Sequence, residues 1–491
     1  MRREIRYRRN NEVVAVSDVP PTQTLLDHLR LDKRAVGTKE GCNEGDCGAC
    51  TVVLGRIRNG KLAFEPVNAC ILLTGMVDGC EVITVEDIAS VQALHPVQAA
   101  MVAHHGSQCG FCTPGIVMSL FALYHEGARP VTRQAITDQL AGNLCRCTGY
   151  RPIIDAAFDA CASEADDRYA SDRDAIFQAL TDLSDEADIL VERDGGFFAA
   201  PRSIDALATL YDRHPDATLV AGATDVGLWI TKQFRPLSKI IWLGRVDRLD
   251  GFVETPTAWS IGATVSLEQA ADALGTIDPD IREVMRRFGS KQVRASGTIG
   301  GNIANGSPIG DLAPVLIALD TTLYLRKGAT GRTLPLDAFF LAYGKQDRAP
   351  GEFLVGCSVP KLAADEVFRC YKLSKRFDED ISAVMGAFRF KIDAGRIVDA
   401  RVAFGGMAAV PKRAAATEAA LAGLSLEDGA GWSEALDALA VDYQPITDMR
   451  ASASYRAEAA RALLMKALVE VAGAETRETR LIGIREDADA A

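Results

Sequence analysis

Short apolar runs separated by glycine-rich stretches dominate the first 85 positions. Those at 13–16, 51–54 and 81–84 have the length and β-branched content of strands, and 24–29 is patterned as a short helix. From about 88 to 164 the pattern turns helical. Positions 115–125 are apolar and aromatic without strand alternation, and another helix follows Pro130 with Thr132 as N-cap and Gly142 as C-cap. A further helix is predicted at 153–162. Positions 165–190 are acidic and poor in large apolar residues, which predicts a linker containing one short helix. Strands and helices mix from about 192, a strand-rich segment begins near 366, and helices are predicted at 433–440 and 453–472. The resulting division is 1–85, 86–164, the linker 165–190, 191–365, 366–480 and a tail at 481–491, a multidomain α+β chain.

Composition narrows the class. With 491 residues, 48% hydrophobic and 24% charged, the chain has ample core for about three globular domains. Lysine and arginine total 54 against 66 acidic residues, a net charge of −12, and no basic stripe interrupts this balance. Nucleic acid is therefore not an expected partner. No run of about 18 apolar residues exists, so no membrane span is expected. Arg2 and Arg3 suggest a twin-arginine signal, but the next apolar stretch is strand-sized, so a cytoplasmic location is expected. Ten of the 12 cysteines lie in the first 161 residues. In a cytosolic chain, where thiols stay reduced, such crowding points to metal rather than to disulfides.

Cys42, Cys47 and Cys50 form C-x4-C-x2-C, and Cys70 follows after 19 intervening residues. This is the spacing of plant-type [2Fe–2S] ferredoxins. Three thiolates come from one loop, and Gly41, Gly45 and Gly48 let it coil with backbone N–H groups toward the sulfurs. Structural zinc more often uses two similar pairs. A second group pairs Cys109 and Cys112 (C-x2-C) with Cys145 and Cys147 (C-x-C). Each pair precedes a predicted helix, one beginning at Gly115 and one with Pro152 at its first position, so backbone donors and the helix dipole favour a negatively charged centre. This spacing by itself also suits zinc. Cys80, Cys161, Cys357 and Cys370 fit no ligand position and read as buried thiols.

Two glycine turns stand in the second half. Leu219, Val220, Ala221, Gly222, Ala223, Thr224, Asp225 and Val226 run from a strand into a turn, and Thr298, Ile299, Gly300, Gly301 and Asn302 form another. Neither is a Walker loop or a Rossmann fingerprint. Together they could hold one pyrophosphate through backbone N–H groups.

The strings QCGFCTPG and NLCRCTGYRPI, with VAGATDVG, FGSKQVRASGTIGGNIANGSPIGDLAP and YKLSKRFDEDISAV, resemble the xanthine oxidase family of molybdenum hydroxylases over about 5–480. The resemblance implies two [2Fe–2S] clusters, one in a β-grasp ferredoxin-like domain and one in a four-helix bundle. An α+β FAD-binding domain of the PCMH type and a C-terminal α+β flavoprotein domain would follow. It implies that the two turns hold the FAD pyrophosphate, that Phe288 lies against the isoalloxazine, that Asp311 holds a ribose or adenine-side group, and that Leu354 and Lys372 complete the pocket. Gln108 and Cys147 would lie near a molybdopterin carried, with its molybdenum, by a large partner subunit in an (αβ)2 heterotetramer. The charged segment 375–380 reads on its own as a solvated loop; the resemblance places it near the flavin, where NAD+ or oxygen approaches. The implied activity is that of a xanthine dehydrogenase. Electrons from oxidation of hypoxanthine and xanthine to urate on the partner would pass through both clusters to FAD and NAD+. A hydroxylase for aldehydes or other N-heterocycles, a stand-alone NADH reductase and a non-catalytic zinc protein are the alternatives.

Overall fold

The computed structural model describes residues 1–90, 93–126, 129–427, 429, 431–473 and 479–480; the expected tail at 481–491 lies outside the described residues. The basic N-terminal run proves to contain a strand. In Ile5–Arg9, Ile5 and Tyr7 are buried, while Arg8 and Arg9 reach Glu81 and Asp87. The period of two was hidden because the outward positions are all arginine. This strand lies between Glu12–Val16, antiparallel, and Glu81–Ile83, parallel; Thr51–Arg58 and Lys61–Asn68 complete a five-stranded mixed sheet. The sheet has the β-grasp form expected. Its helix is shorter than the pattern suggested, Leu25–Asp27, capped by Thr24 and continued by one wide turn.

Four helices follow: Pro96–Ala103, Thr113–His125, Arg133–Leu140 and Arg151–Ala160. Thr132 caps the third, accepting from Ala135 N at 3.1 Å, but that helix ends two residues before Gly142. Helix Thr113–His125 starts ahead of Gly115, and ten of its residues in succession are buried, which makes it the centre of the bundle. Pro152 is the second residue of its helix, behind Tyr150 in a left-handed conformation.

The expected linker is not one. Residues 165–190 contain two helices, Arg168–Ser171 and Arg173–Leu183, and Tyr169, Ile176 and Leu180 are buried in the same core as the bundle. Three apolar residues at helical spacing anchor an otherwise acidic segment, whose composition conceals that periodicity.

Beyond it, Ile189–Arg193, Gly196–Ala200, Lys239–Trp242 and Thr218–Val220 form a four-stranded sheet, largely parallel. A five-stranded antiparallel sheet, centred on Phe353–Pro360, carries the helices Leu267–Ile277, Pro279–Arg286, Lys291–Ser296, Ile299–Asn305 and Leu312–Ala318. Last comes an antiparallel meander of Glu366–Leu373, Val384–Asp393, Arg396–Gly405 and Lys412–Arg413, covered by Ala415–Leu421, Trp432–Asp442 and Ala453–Val471. Among the described residues no helix is long and apolar enough to cross a membrane.

Arg2 is an internal ion-pair partner, bidentate to Asp78 at 2.7 Å on both nitrogens. Its backbone bonds to the third module: Arg2 N donates to Asp188 O at 2.7 Å, and Leu190 N donates to Arg2 O at 2.9 Å.

Candidate cluster and flavin sites

The loop at 40–50 has no regular structure and is shaped by its sulfurs. Cys47 N and Asp46 N donate to Cys42 Sγ at 3.3 and 3.4 Å, and Cys42 N donates to Cys47 Sγ at 3.3 Å. Asn68 Nδ2 ties the loop down at Gly45 O, 2.8 Å. Gly45 and Gly48 have φ of 82° and 68°, where a side chain is strained. Gly41 is needed for space, since a Cβ there would stand 2.6 Å from Cys47 Sγ. The Cys42 sulfur meets the thiols of Cys47 and Cys70, and Cys70 meets Cys50 as well. Hydrogen bonds from Cys47 and Cys70 hold the Cys42 thiol well below its ordinary range. Four sulfurs thus converge with backbone N–H groups aimed at them, a donor set that fits a [2Fe–2S] cluster.

The second group converges in two contacts, Cys112 with Cys145 and Cys109 with Cys147. Burial and the contact with Cys145 push the Cys112 thiol up to about 12. Cys112 is the residue before helix Thr113–His125, and Tyr150 OH accepts from Cys145 N at 2.8 Å. Cys109, Cys147 and Gln108 are exposed, beside the exposed side chains of Phe111 (49%) and Leu144 (44%). The edge of this group that opens to solvent therefore mixes apolar Phe111 and Leu144 with polar Gln108 and the charged Arg146. Cys80, Cys161, Cys357 and Cys370 are all buried.

The two glycine turns meet. A Cβ on Gly222 would lie 1.9 Å from Ser296 O and 2.9 Å from Gly297 Cα. Glycine is required there because two backbones touch, whereas the left-handed φ of the turn, 60°, falls on Ala223. Thr298 caps the helix Ile299–Asn305, accepting from Gly301 N at 3.0 Å, and Asp225 precedes the helix Val226–Thr231. Two helix starts and a glycine-backed turn converge, a cradle that fits a dinucleotide phosphate. Lys232, at the far end of Val226–Thr231, donates to Cys42 O at 2.5 Å, and Gly227 packs against the backbone of Ile71, next to Cys70. The flavin-side helix thereby meets the first cysteine group at both ends, the loop through Lys232 and the neighbour of Cys70 through Gly227, a link no motif announced.

Lys372 and Asp311 are paired with each other. Lys372 Nζ lies 2.6 Å from Asp311 Oδ2 and 2.9 Å from Ser382 Oγ, and the two charged side chains are 1% and 5% exposed. Leu354 is buried in the same core against which the half-buried Phe288 packs. The segment 375–380 is no free loop: Asp380 accepts from Lys375 N and Arg376 N at 2.9 Å, and Arg287 Nε donates to Phe377 O at 2.9 Å. Burial, reinforced by Asp46, pushes the Glu379 carboxyl up to about 8.

These modules match known families in the same order. Residues 10–73 match a 2Fe-2S iron-sulfur cluster binding domain, 84–158 a [2Fe-2S] binding domain, 193–362 the FAD binding domain in molybdopterin dehydrogenase, and 369–471 the CO dehydrogenase flavoprotein C-terminal domain. Xanthine dehydrogenase of Emericella nidulans is 32% identical over 497 residues, 89% of this chain and 36% of that protein. The chain belongs to the xanthine oxidase family of molybdenum hydroxylases. Xanthine dehydrogenase/oxidase of Mus musculus is 34% identical over 81% of the chain and 34% of its own length. The chain thus spans about a third of the curated relatives it matches. Among solved structures, carbon monoxide dehydrogenase from Hydrogenophaga pseudoflava, at 27% identity, aligns with a TM-score of 0.52 over 54% of this chain and 93% of that one. Quinoline 2-oxidoreductase from Pseudomonas putida 86, at 23% identity and a TM-score of 0.51, shares the fold over 56% of this chain and 95% of that one.

One further grouping resembles a metal centre. His95, His125 and Asp167 bring three ligand atoms within 4.8 Å of one another. Its hydrogen bonds argue against an ion. His95 Nδ1 accepts from Val97 N at 3.2 Å, which leaves the ring proton on Nε2, 2.8 Å from Asp167 Oδ2. A ligating imidazole would instead donate from its second nitrogen. His125 Nε2 approaches the same oxygen at 3.1 Å, and Ala170 N donates to Oδ1 at 2.8 Å. The trio is a clasp that fastens the segment after residue 165 to the bundle. Burial works to raise the Asp167 carboxyl, but these partners outweigh it and hold it well below the usual range. A depressed folded value means that the clasp stabilises above the ordinary Asp range, near pH 4, and is lost as pH falls through the folded value. Asp167→Asn is expected to cost about 1.5–3 kcal/mol at neutral pH, the worth of a bond to a charged group. It should also flatten the acid limb. Denaturant unfolding at pH 7 and pH 4 checks both, and an unchanged neutral-pH stability would refute the clasp.

Proposed function

We propose that this chain is the iron–sulfur and flavin subunit of a xanthine dehydrogenase, binding two [2Fe–2S] clusters and FAD. Cys42, Cys47, Cys50 and Cys70 hold the first cluster, and Cys109, Cys112, Cys145 and Cys147 the second. FAD occupies the cradle of 219–226 and 298–302, with Phe288, Asp311, Leu354 and Lys372 around it. When bound, these groups carry single electrons and, at the flavin, deliver a pair to NAD+. The observation that carries the reading is the chain of contacts. The second cysteine group touches the first, and the first touches the flavin-side helix through Lys232 and Gly227. The open edge at Gln108 and Cys147 supports docking of a large molybdopterin-bearing subunit, and an (αβ)2 assembly in the cytoplasm follows the same reading.

The chain's own residues set the order and the insulation. Backbone N–H groups in both cysteine loops stabilise added negative charge. Burial of Cys50, Cys70 and Cys145 keeps water from that side of each centre. Purification from the native source, with metal and flavin analysis, tests the proposal. About four irons and one FAD per chain are expected from two binuclear clusters, with a molybdenum-bearing partner and reduction of NAD+ by xanthine. Turnover of aldehydes or another N-heterocycle but not xanthine would move the assignment to a different hydroxylase. Zinc without iron or flavin would end it.

A further inference from the structure

We infer that Gln292, a residue of the flavin-side domain, is the positioning residue for the contact between the two cysteine groups; this rests on the electron-transfer reading above. That contact is narrow. Leu144 N donates to Cys47 O at 3.0 Å, so one hydrogen bond joins a ligand of the first group to the neighbour of Cys145. The backbones are pressed together around it: a Cβ on Gly48 would lie 2.0 Å from Gly142 O, and one on Gly115 would lie 2.1 Å from Gly48 O.

Four side chains lock this approach, and each is at most 2% exposed: Thr51, Ser119, Asn143 and Gln292. Asn143 Nδ2 donates to Gly48 O at 3.1 Å, holding the residue after Cys47 to the residue before Leu144. Asn143 is in turn held by Ser119 Oγ, which donates to its Oδ1 at 2.6 Å, and by Gln292 Nε2 at 3.0 Å. Gln292 Nε2 also lies 3.2 Å from Thr51 Oγ1 and 3.1 Å from Ser119 Oγ. The hydroxyl proton of Thr51 goes to Gly48 O at 2.7 Å, and that of Ser119 goes to Asn143. Both hydroxyl oxygens therefore face Gln292 as acceptors, and the amide must present its nitrogen. Its Oε1 finds no hydrogen-bond partner among the described residues. A buried acceptor left unpaired is unfavourable, so this glutamine is held in place by its two N–H groups, which are shared among Thr51 of the first cluster module and Ser119 and Asn143 of the second.

The consequence concerns single-electron transfer, which would pass, with no bond made or broken, from a cluster held by Cys109, Cys112, Cys145 and Cys147 to one held by Cys42, Cys47, Cys50 and Cys70. A hydrogen-bonded route between the two groups runs through Leu144 N–H and Cys47 C=O, and Gln292 keeps those groups in register from a third domain.

The test uses the full-length, cofactor-loaded protein. In the wild type, the Leu144 amide should be among the slowest to exchange with deuterium in 140–150; rapid exchange there would overturn the inference by itself. Gln292→Leu and Gln292→Met keep the volume and remove the donors. Each is expected to retain iron and FAD and to speed Leu144 exchange about fivefold to tenfold, the equivalent of one net hydrogen bond. The magnetic interaction between the two reduced clusters in EPR should weaken, and intercluster transfer should slow, while each cluster's own signal is unchanged. Loaded variants with unaltered exchange and unaltered interaction would refute the role of Gln292 and leave the proposed function standing. Wild-type protein without iron would remove both.

Discussion

Replacing Lys372 by methionine is expected to destabilise the protein by about 3–5 kcal/mol, because it leaves the Asp311 carboxylate buried without its partner. The ammonium lies 2.6 Å from Asp311 Oδ2 and 2.6 Å from Asp380 O, and Asp311 accepts a second bond from Ser382 at 2.5 Å. Asp311 leads the helix Leu312–Ala318 and Lys372 is the penultimate residue of the strand Glu366–Leu373, so the pair joins the flavin-binding module to the C-terminal one. The double variant Lys372→Met with Asp311→Asn removes both charges and should recover a substantial part of the loss. Denaturant unfolding of the three variants and the wild type, with FAD content recorded alongside, checks this. Single and double variants of equal stability would show that the pair is not coupled.

Gly222→Val should abolish flavin binding. The notion that glycine at this position serves only to admit a phosphate is too narrow, since the missing side chain would collide first with the carbonyl of Ser296. Backbone meets backbone there, and neither can rotate away as a flexible side chain would. Overpacking of this kind costs about 1–3 kcal/mol or more, and relief requires the two turns to part. Parting them dismantles the cradle while leaving both cysteine groups intact, so FAD should be lost at full iron content. Gly331→Ala is the control, for the nearest atom to its added carbon is 3.6 Å away. Normal FAD content in Gly222→Val would mean that the turns do not hold the cofactor.

What could be read from the chain was what is local. Cys42, Cys47 and Cys50 stand out because three thiols share one loop, and Thr132 declares a cap because the cap bonds three residues ahead. The strand Ile5–Arg9 escaped notice because arginines fill its outward positions. The helices Arg168–Ser171 and Arg173–Leu183 were masked by acidic composition, although Tyr169, Ile176 and Leu180 are core residues. Long-range pairings left no trace at all. Gln292 and Thr51 are separated by 241 positions, and a buried glutamine looks in sequence like any surface one. The need for glycine at 222 is hidden in the same way, since its neighbour across the turn, Ser296, is 74 positions away.

The backbone bonds between Arg2 and the pair Asp188 and Leu190 bear on how the protein is made. Arg2, just ahead of the first strand, cannot gain these hydrogen bonds until residue 190 has left the ribosome, because its partners are encoded beyond the whole bundle. Loop closure over that distance is slow compared with local helix formation. That corner of the ferredoxin-like sheet is therefore completed only after the whole bundle has been made, so the N-terminal module reaches its final form later than its place in the chain suggests.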